Sequence, residues 1–158
     1  MIAYARRVPP HPGLRYAQGD MRALEGGPWG LALCLGNSLS LLADTRELER
    51  VFKRVYACLA PGGVFVTQVL NYAALESPKH TIVHKSCDGI ALTVVKSLVP
   101  GADRVFLSLA FFAEQDGQRR NVAEAAALLP ILPAMHAGAA EAAGFTVKCH
   151  FGAFDKSP

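Results

Sequence analysis

The sequence predicts an α/β fold in which a short parallel sheet carries an inserted run of antiparallel hairpins. Three observations point there. Two apolar runs, residues 31–35 (LALCL) and 64–70 (VFVTQVL), flank one strongly signed helix, the strand–helix–strand order of a right-handed parallel crossover. Beyond Asn71 the rhythm changes to β-rich runs separated by Asp88-Gly89 and Pro100-Gly101, with Asp116-Gly117 closing the last; such turn dipeptides signal hairpins. Half of the 158 residues are hydrophobic (51%) and only 18% are charged, which suits a single buried-core domain and argues against disorder.

The elements follow in order. Residues 1–8 suit the end of a helix closed by Val8-Pro9-Pro10, because the residue before proline resists the helical region. Residues 14–18 read as a short strand ended by Gly19-Asp20, and Gly26-Gly27-Pro28 as a loop. Residues 31–35 are apolar throughout, as parallel strands covered on both faces are. Asp44 is placed as an N-cap with Glu47 three residues on, a capping-box arrangement. Leu48, Val51, Phe52, Val55, Cys58 and Leu59 then recur at helical spacing until Pro61-Gly62-Gly63 stops the helix. Residues 64–70, 81–85, 90–99 and 104–113 read as strands, 132–143 as an Ala-rich helix ending at Gly144, and 145–151 as a closing strand.

Several function classes find no support. The net charge of +3 is modest and its basic residues are scattered, without the basic stripe and interleaved aromatics of a nucleic-acid binder. The four cysteines are far apart and never form CxxC, so reduced thiols are expected rather than disulfides or zinc. Among the histidines only His80 and His84 have metal-compatible spacing, and no metal is expected. No apolar run approaches a membrane span, and MIAYARRV is unlike a signal peptide, so a cytoplasmic protein without membrane contact is expected.

In an open parallel sheet, ligands bind at the carboxyl ends of strands. Three such ends turn polar here: Gly19-Asp20-Met21-Arg22, Gly36-Asn37-Ser38, and Gln68 with Asn71-Tyr72. Together they bring a carboxylate, a backbone-exposing turn and an amide to one crevice, a set able to grip a polar small molecule. Ser38 has no assignable histidine, so covalent hydrolytic catalysis is disfavoured and no catalytic residue is named. Each residue also has a plainer reading: Asp20 as a strand-closing turn, Asn37 and Ser38 as turn and cap, Tyr72 as packing beneath the hairpins.

CLGNSL at 34–39, the capped helix, the LAPGGVFV run at 59–66 and Leu70-Asn71-Tyr72, preceded by Gly19-Asp20-Met21-Arg22, resemble a class I S-adenosylmethionine-dependent methyltransferase of the glycine N-methyltransferase-like group. The resemblance covers nearly the whole chain and implies a partial Rossmann-like methyltransferase sheet with an antiparallel insertion at 80–124 in one domain, 1–158. By position it implies that Asp20 and Met21 hold the adenine. It sets Leu35, Gly36, Asn37 and Ser38 beside the methionine part of S-adenosylmethionine, and Asn71 and Tyr72 near a small-molecule methyl acceptor, expected to be an amine. The family's fold opens with a strand, a GxGxG-type loop, a helix and a second strand ending in an acid; residues 1–158 contain no such segment. The expectation is therefore an N-terminally incomplete, truncated methyltransferase domain with open sheet edges that favour homo-oligomers. A catalytically incompetent remnant or partner-dependent subunit is the alternative. Another nucleotide-using α/β enzyme is a weaker third.

Overall fold

A computed structural model describes residues 13–87 and 89–153. Its chain order is strand β1 (Trp29–Cys34), helix α1 (Thr45–Cys58), strand β2 (Leu59–Thr67), strands β3 (Lys79–Cys87), β4 (Ile90–Pro100), β5 (Val105–Gln115) and β6 (Gln118–Leu128), and helix α2 (Pro133–Ala142). Short 3-10 turns occupy Met21–Ala23, Ser38–Leu41 and Tyr72–Ala74. β1 and β2 form a two-stranded parallel sheet, and β3 to β6 form a separate antiparallel meander. This is the expected α/β mixture of parallel crossover and hairpins.

α1 forms where local chemistry directs it. The Asp44 carboxylate accepts from the Glu47 N–H at 2.9 Å, and Glu47 Oε2 accepts from the Ala43 N–H at 2.8 Å, so two donors at the helix start are satisfied reciprocally. Leu48, Val51, Phe52, Val55 and Cys58 are all buried, one stripe of an amphipathic helix. The first four pack with Leu39, Leu42, Leu129, Ile131, Ala139 and Ala140 into the main core, with Ala32, Cys34, Phe65 and Phe145 against it. Burying each large apolar side chain contributes about 1.5–3 kcal/mol. Phe52 anchors this layer through edge-on contacts with Phe65 at 5.3 Å and Phe145 at 6.1 Å.

Four sequence expectations are corrected. Residues 14–18 lie outside both sheets, with Leu14 and Tyr16 exposed; a strand needs a neighbour to pair with, and among the described residues none pairs with them in a sheet. Residues 145–151 also form no strand; Phe145 packs instead as a core side chain against Phe52 and Tyr56. Pro61-Gly62-Gly63 does not separate helix from strand. The helix ends at Cys58, Leu59 already pairs with Trp29, and the next pair is Leu31 with Val64, so residues 60–63 bulge out of β2. A Cβ on Gly63 would stand 2.9 Å from the Ala60 and Trp29 carbonyl oxygens, which is why glycine sits in the bulge. Finally, β1 is covered on one face only. Ala32, Cys34, Phe65 and Thr67 point to the helices, whereas Leu31, Leu33, Leu35, Val64 and Val66 are exposed. Residues 1–8, expected to be helical, lie outside the described residues.

The meander carries one strand without a sequence signal: β6, whose Ala-rich run is held by pairing along β5 from Val105–Leu128 to Gln115–Gln118. Only the root of this sheet is buried. There Leu98, Val105 and Leu128 pack with Tyr72 in a second, smaller cluster. Among the described residues no helix is long and apolar enough to cross a membrane.

Candidate functional site

The two parallel strands end at a tight corner, and Asn37 holds it. Gly36 and Asn37 both take left-handed backbone conformations, φ 73° and 66°. Glycine adopts this freely and asparagine tolerates it, whereas a β-branched residue would be strained. The corner is tied to the end of β2 by the backbone, Gln68 N–H to the Cys34 carbonyl at 2.9 Å and Asn37 N–H to the Gln68 carbonyl at 3.1 Å. The Gln68 side chain adds a third tie, its Oε1 accepting from the Gly36 N–H at 2.8 Å.

The Asn37 side chain is a hub. Its Oδ1 accepts from the Leu70 N–H at 2.9 Å, the Ser40 hydroxyl at 3.0 Å and the Tyr72 hydroxyl at 3.1 Å, and its Nδ2 donates back to Tyr72 Oη at 2.9 Å. Ser40 is fully buried and Tyr72 nearly so, which makes these bonds expensive to lose. Ser38 donates its hydroxyl to the Leu35 carbonyl at 2.9 Å. Leu35 and Gly36 stay exposed at the corner, and a Cβ built on Gly36 meets nothing within 4 Å, so the space before the corner is open.

Of the residues singled out in the sequence, Leu35, Gly36, Asn37, Ser38 and Tyr72 are thus joined in one corner. Asn71 leads into the Tyr72–Ala74 turn and accepts from the Ala74 N–H at 3.2 Å. Asp20 and Met21 sit on a separate turn against α1. Asp20 caps that turn, accepting from the Arg22 N–H at 2.8 Å, and its carboxylate is gripped by the Arg22 guanidinium at 2.6 Å. Those bonds hold the exposed Asp20 carboxyl down at about 2, so it is ionised throughout the physiological range. Arg22 also reaches Glu47 Oε1 at 2.5 Å, fastening the turn to the start of α1, while Met21 packs on the main core.

Three polar residues outside the sequence-derived set support this region. Ser40 lies three positions beyond Asn37, the spacing at which a hydroxyl reaches back to a turn, and that spacing was the available signal. Arg104, at the foot of the meander, donates to the carbonyls of Leu42 and Ala43. His136 on α2 shares a hydrogen bond of 2.9 Å with Thr67 at the end of β2, and burial keeps its pKa below the ordinary value, with His150 pushing the same way. Nothing local in the sequence pairs residues 67 and 136. Burial likewise pushes the Cys34 thiol up, against a hydrogen bond from the Leu39 backbone, so it stays protonated as a core thiol. His80 and His84 are each held by a cross-strand hydroxyl, Ser97 at 2.8 Å and Thr93 at 2.9 Å.

The fold is similar to that of several solved structures, methyltransferases among them. DesVI from Streptomyces venezuelae superposes with a TM-score of 0.85 at 22% identity, over 98% of this chain and 65% of its own. The sugar N-methyltransferase KedS8 from a Streptoalloteichus species gives 0.75 at 23% identity, over 90% and 58%. CalS10 from Micromonospora echinaspora, an amino pentose methyltransferase solved with S-adenosylmethionine bound, gives 0.73 at 21%, over 84% and 57%. The chain thus spans less than two thirds of the length of each of these proteins. No protein-family model and no curated protein matches it. At these identities the likeness establishes the fold alone, an α/β architecture that the chain shares with part of each of these proteins.

Proposed function

We propose that this chain carries part of an S-adenosylmethionine-dependent methyltransferase site, acting on an amine nitrogen of a small molecule. The observation that carries the reading is the Gly36-Asn37 corner, locked at the carboxyl ends of two parallel strands and open to solvent in front. The fold likeness to enzymes described as a sugar N-methyltransferase and an amino pentose methyltransferase supports the same chemistry.

The residues present fit the cofactor's groups. Asp20 offers an ionised, exposed carboxylate and Met21 an apolar neighbour for the adenosine end. Leu35 gives an apolar wall and Gly36 a Cβ-free approach for the methionine end, with Ser38 beside them. Asn71 and Tyr72 border the acceptor side. Held by these residues, the cofactor would supply an electrophilic methyl on its sulfonium to the amine lone pair. The chain's task is placement: the Asn37 hub fixes the corner so that nitrogen, methyl and sulfur can align, and proximity supplies much of the rate. An acceptor that arrives as a neutral amine needs no base in the displacement, and the proton on the product nitrogen passes to water.

Calorimetric titration with S-adenosylmethionine and its demethylated product tests the reading. Binding is expected, about tenfold weaker in Gly36→Val because a β-branched residue resists the left-handed conformation. A folded chain that binds neither ligand overturns it for the chain alone. That outcome favours the second reading, a partner-dependent subunit or incompetent remnant, which draws support from the bare outer face of β1 and β2.

A further inference from the structure

The two turns that meet the proposed ligand, one at Asp20 and one at Gly36-Asn37, are joined through residues 40–47, SLLADTRE. Here the chain leaves the corner and enters α1. Leu42 is extended at ψ 150° and Asp44 at φ −161°, so the peptide groups between them lie outside any helix and need bonds from elsewhere. Leu42 is buried in the main core, which holds this stretch close to its neighbours.

Those bonds arrive from two sides. From the foot of the meander, Arg104 donates to the Leu42 carbonyl at 3.4 Å and to the Ala43 carbonyl, and the Leu129 N–H donates to the Ser40 carbonyl at 2.7 Å. From the other side, Glu47 Oε2 accepts from the Ala43 N–H at 2.8 Å, while Glu47 Oε1 accepts from Arg22 Nη1 at 2.5 Å. The rest of the Arg22 fork holds Asp20, with Nε at 3.0 Å and Nη2 at 2.6 Å. A lone exposed ion pair contributes little, but one planar guanidinium reaching two carboxylates fixes their relative position, which a lysine cannot do. Ala43 is thus gripped at both its N–H and its carbonyl, and the path from the meander to the Asp20 turn is unbroken: Arg104, Ala43, Glu47, Arg22, Asp20.

We propose that Arg104 and Arg22 are positioning residues for a ligand held at both turns. Through residues 42–47 they fix the Asp20 turn against the Gly36-Asn37 corner, and so set the span across which S-adenosylmethionine lies. The inference rests on the methyltransferase reading and deepens it, since both arginines act through other residues rather than on the reacting atoms. A ligand gripped at two points binds tightly because its second contact forms at high effective concentration, greatest when the points are held at the ligand's own span. Loosening residues 42–47 lowers that gain and leaves the contact at each end as it was.

Calorimetry with the whole ligand and with adenosine, which reaches the Asp20 end alone, separates the two effects. Arg104→Gln is expected to weaken S-adenosylmethionine binding about tenfold and to leave adenosine binding unchanged. Arg104→Lys, which keeps a donor for the two carbonyls, is expected to recover most of the loss. Arg119→Gln, whose partner Glu114 lies within the meander, is expected to change neither affinity. Adding Arg22→Gln to Arg104→Gln is expected to weaken the whole ligand by far less than the product of the single effects, because both act along one path. Whole-ligand affinity unchanged in Arg104→Gln, adenosine weakened in parallel with it, or multiplicative single effects would each overturn the proposal. Hydrogen exchange on the ligand-free chain tests the clamp by itself: Arg104→Gln is expected to quicken exchange at the Ala43 and Arg22 amides, and an unchanged rate at Arg22 refutes it. A folded wild-type chain that binds neither ligand overturns the methyltransferase reading and the ligand's part of this proposal with it, while the exchange comparison still accepts or rejects the clamp.

Discussion

The helix-backed body and the antiparallel meander are built from similar apolar strands, yet they bury them very differently. In the body, Phe52 of α1 is 3% exposed, sealed by Phe65 of β2, His136 of α2 and Phe145. In the meander, Phe112 is 46% exposed although its strand is paired on both sides. Backbone pairing alone therefore does not make a core; a layer on the sheet face does. The body holds its fold by packing, while the meander depends on its ladders and on the buried root around Tyr72, Leu98, Val105 and Leu128. Regions with so few buried contacts open at lower free energy than the core.

The largest effect that separates the two is core truncation. Phe52→Ala is expected to cost about 3–5 kcal/mol, and Phe112→Ala at most about 1 kcal/mol, read by urea unfolding. Equal losses would mean that the meander is covered in solution. Next comes the joint between the regions. Asn37→Ala leaves the Leu70 N–H, the buried Ser40 hydroxyl and the Tyr72 hydroxyl without their shared acceptor, for a loss of about 2–4 kcal/mol. Hydrogen exchange should quicken both at Leu70 and at the meander root. Tyr72→Phe keeps the packing and should cost about 1 kcal/mol. If exchange in the meander is unchanged in Asn37→Ala, the hub does not couple the two regions.

Smaller effects test the body alone. Asp44→Ala removes the cap on α1 and should cost about 1 kcal/mol. The smallest is a pH dependence from His136. Its folded pKa lies below 6.5, chiefly through burial, so the unfolded chain takes up the proton first. The stability from keeping this ring neutral is complete above 6.5 and is lost as pH falls toward the folded pKa. Melting temperature should decline across that window, and His136→Gln should flatten the decline. An unchanged slope would assign the effect elsewhere.

The same contrast explains what could be read in advance. α1 was legible to its cap and its stripe, because capping and 3.6-residue periodicity act within a few residues of one another. The hairpin turns were legible for the same reason. Residues 14–18 and 145–151 have strand-like composition but pair with no strand among the described residues, and β6 has Ala-rich composition but an adjacent edge in β5. Pairing is nonlocal, so composition misjudged all three. At the corner, the small polar types of Gly36, Asn37 and Ser38 announced a turn at a strand end. That Asn37 spends its amide on Tyr72, thirty-five positions away, was not written in either residue's neighbourhood.

The sequence by itself determined the turns, the capped helix and the order strand–helix–strand–meander, since these follow from dihedral preference, local hydrogen bonds and the periodicity of apolar residues. Only the tertiary structure decided which apolar faces found cover, which strands found partners and which polar side chains bonded across the corner. Those outcomes depend on surfaces brought together from distant parts of the chain, where the free energy belongs to the contact rather than to either segment alone.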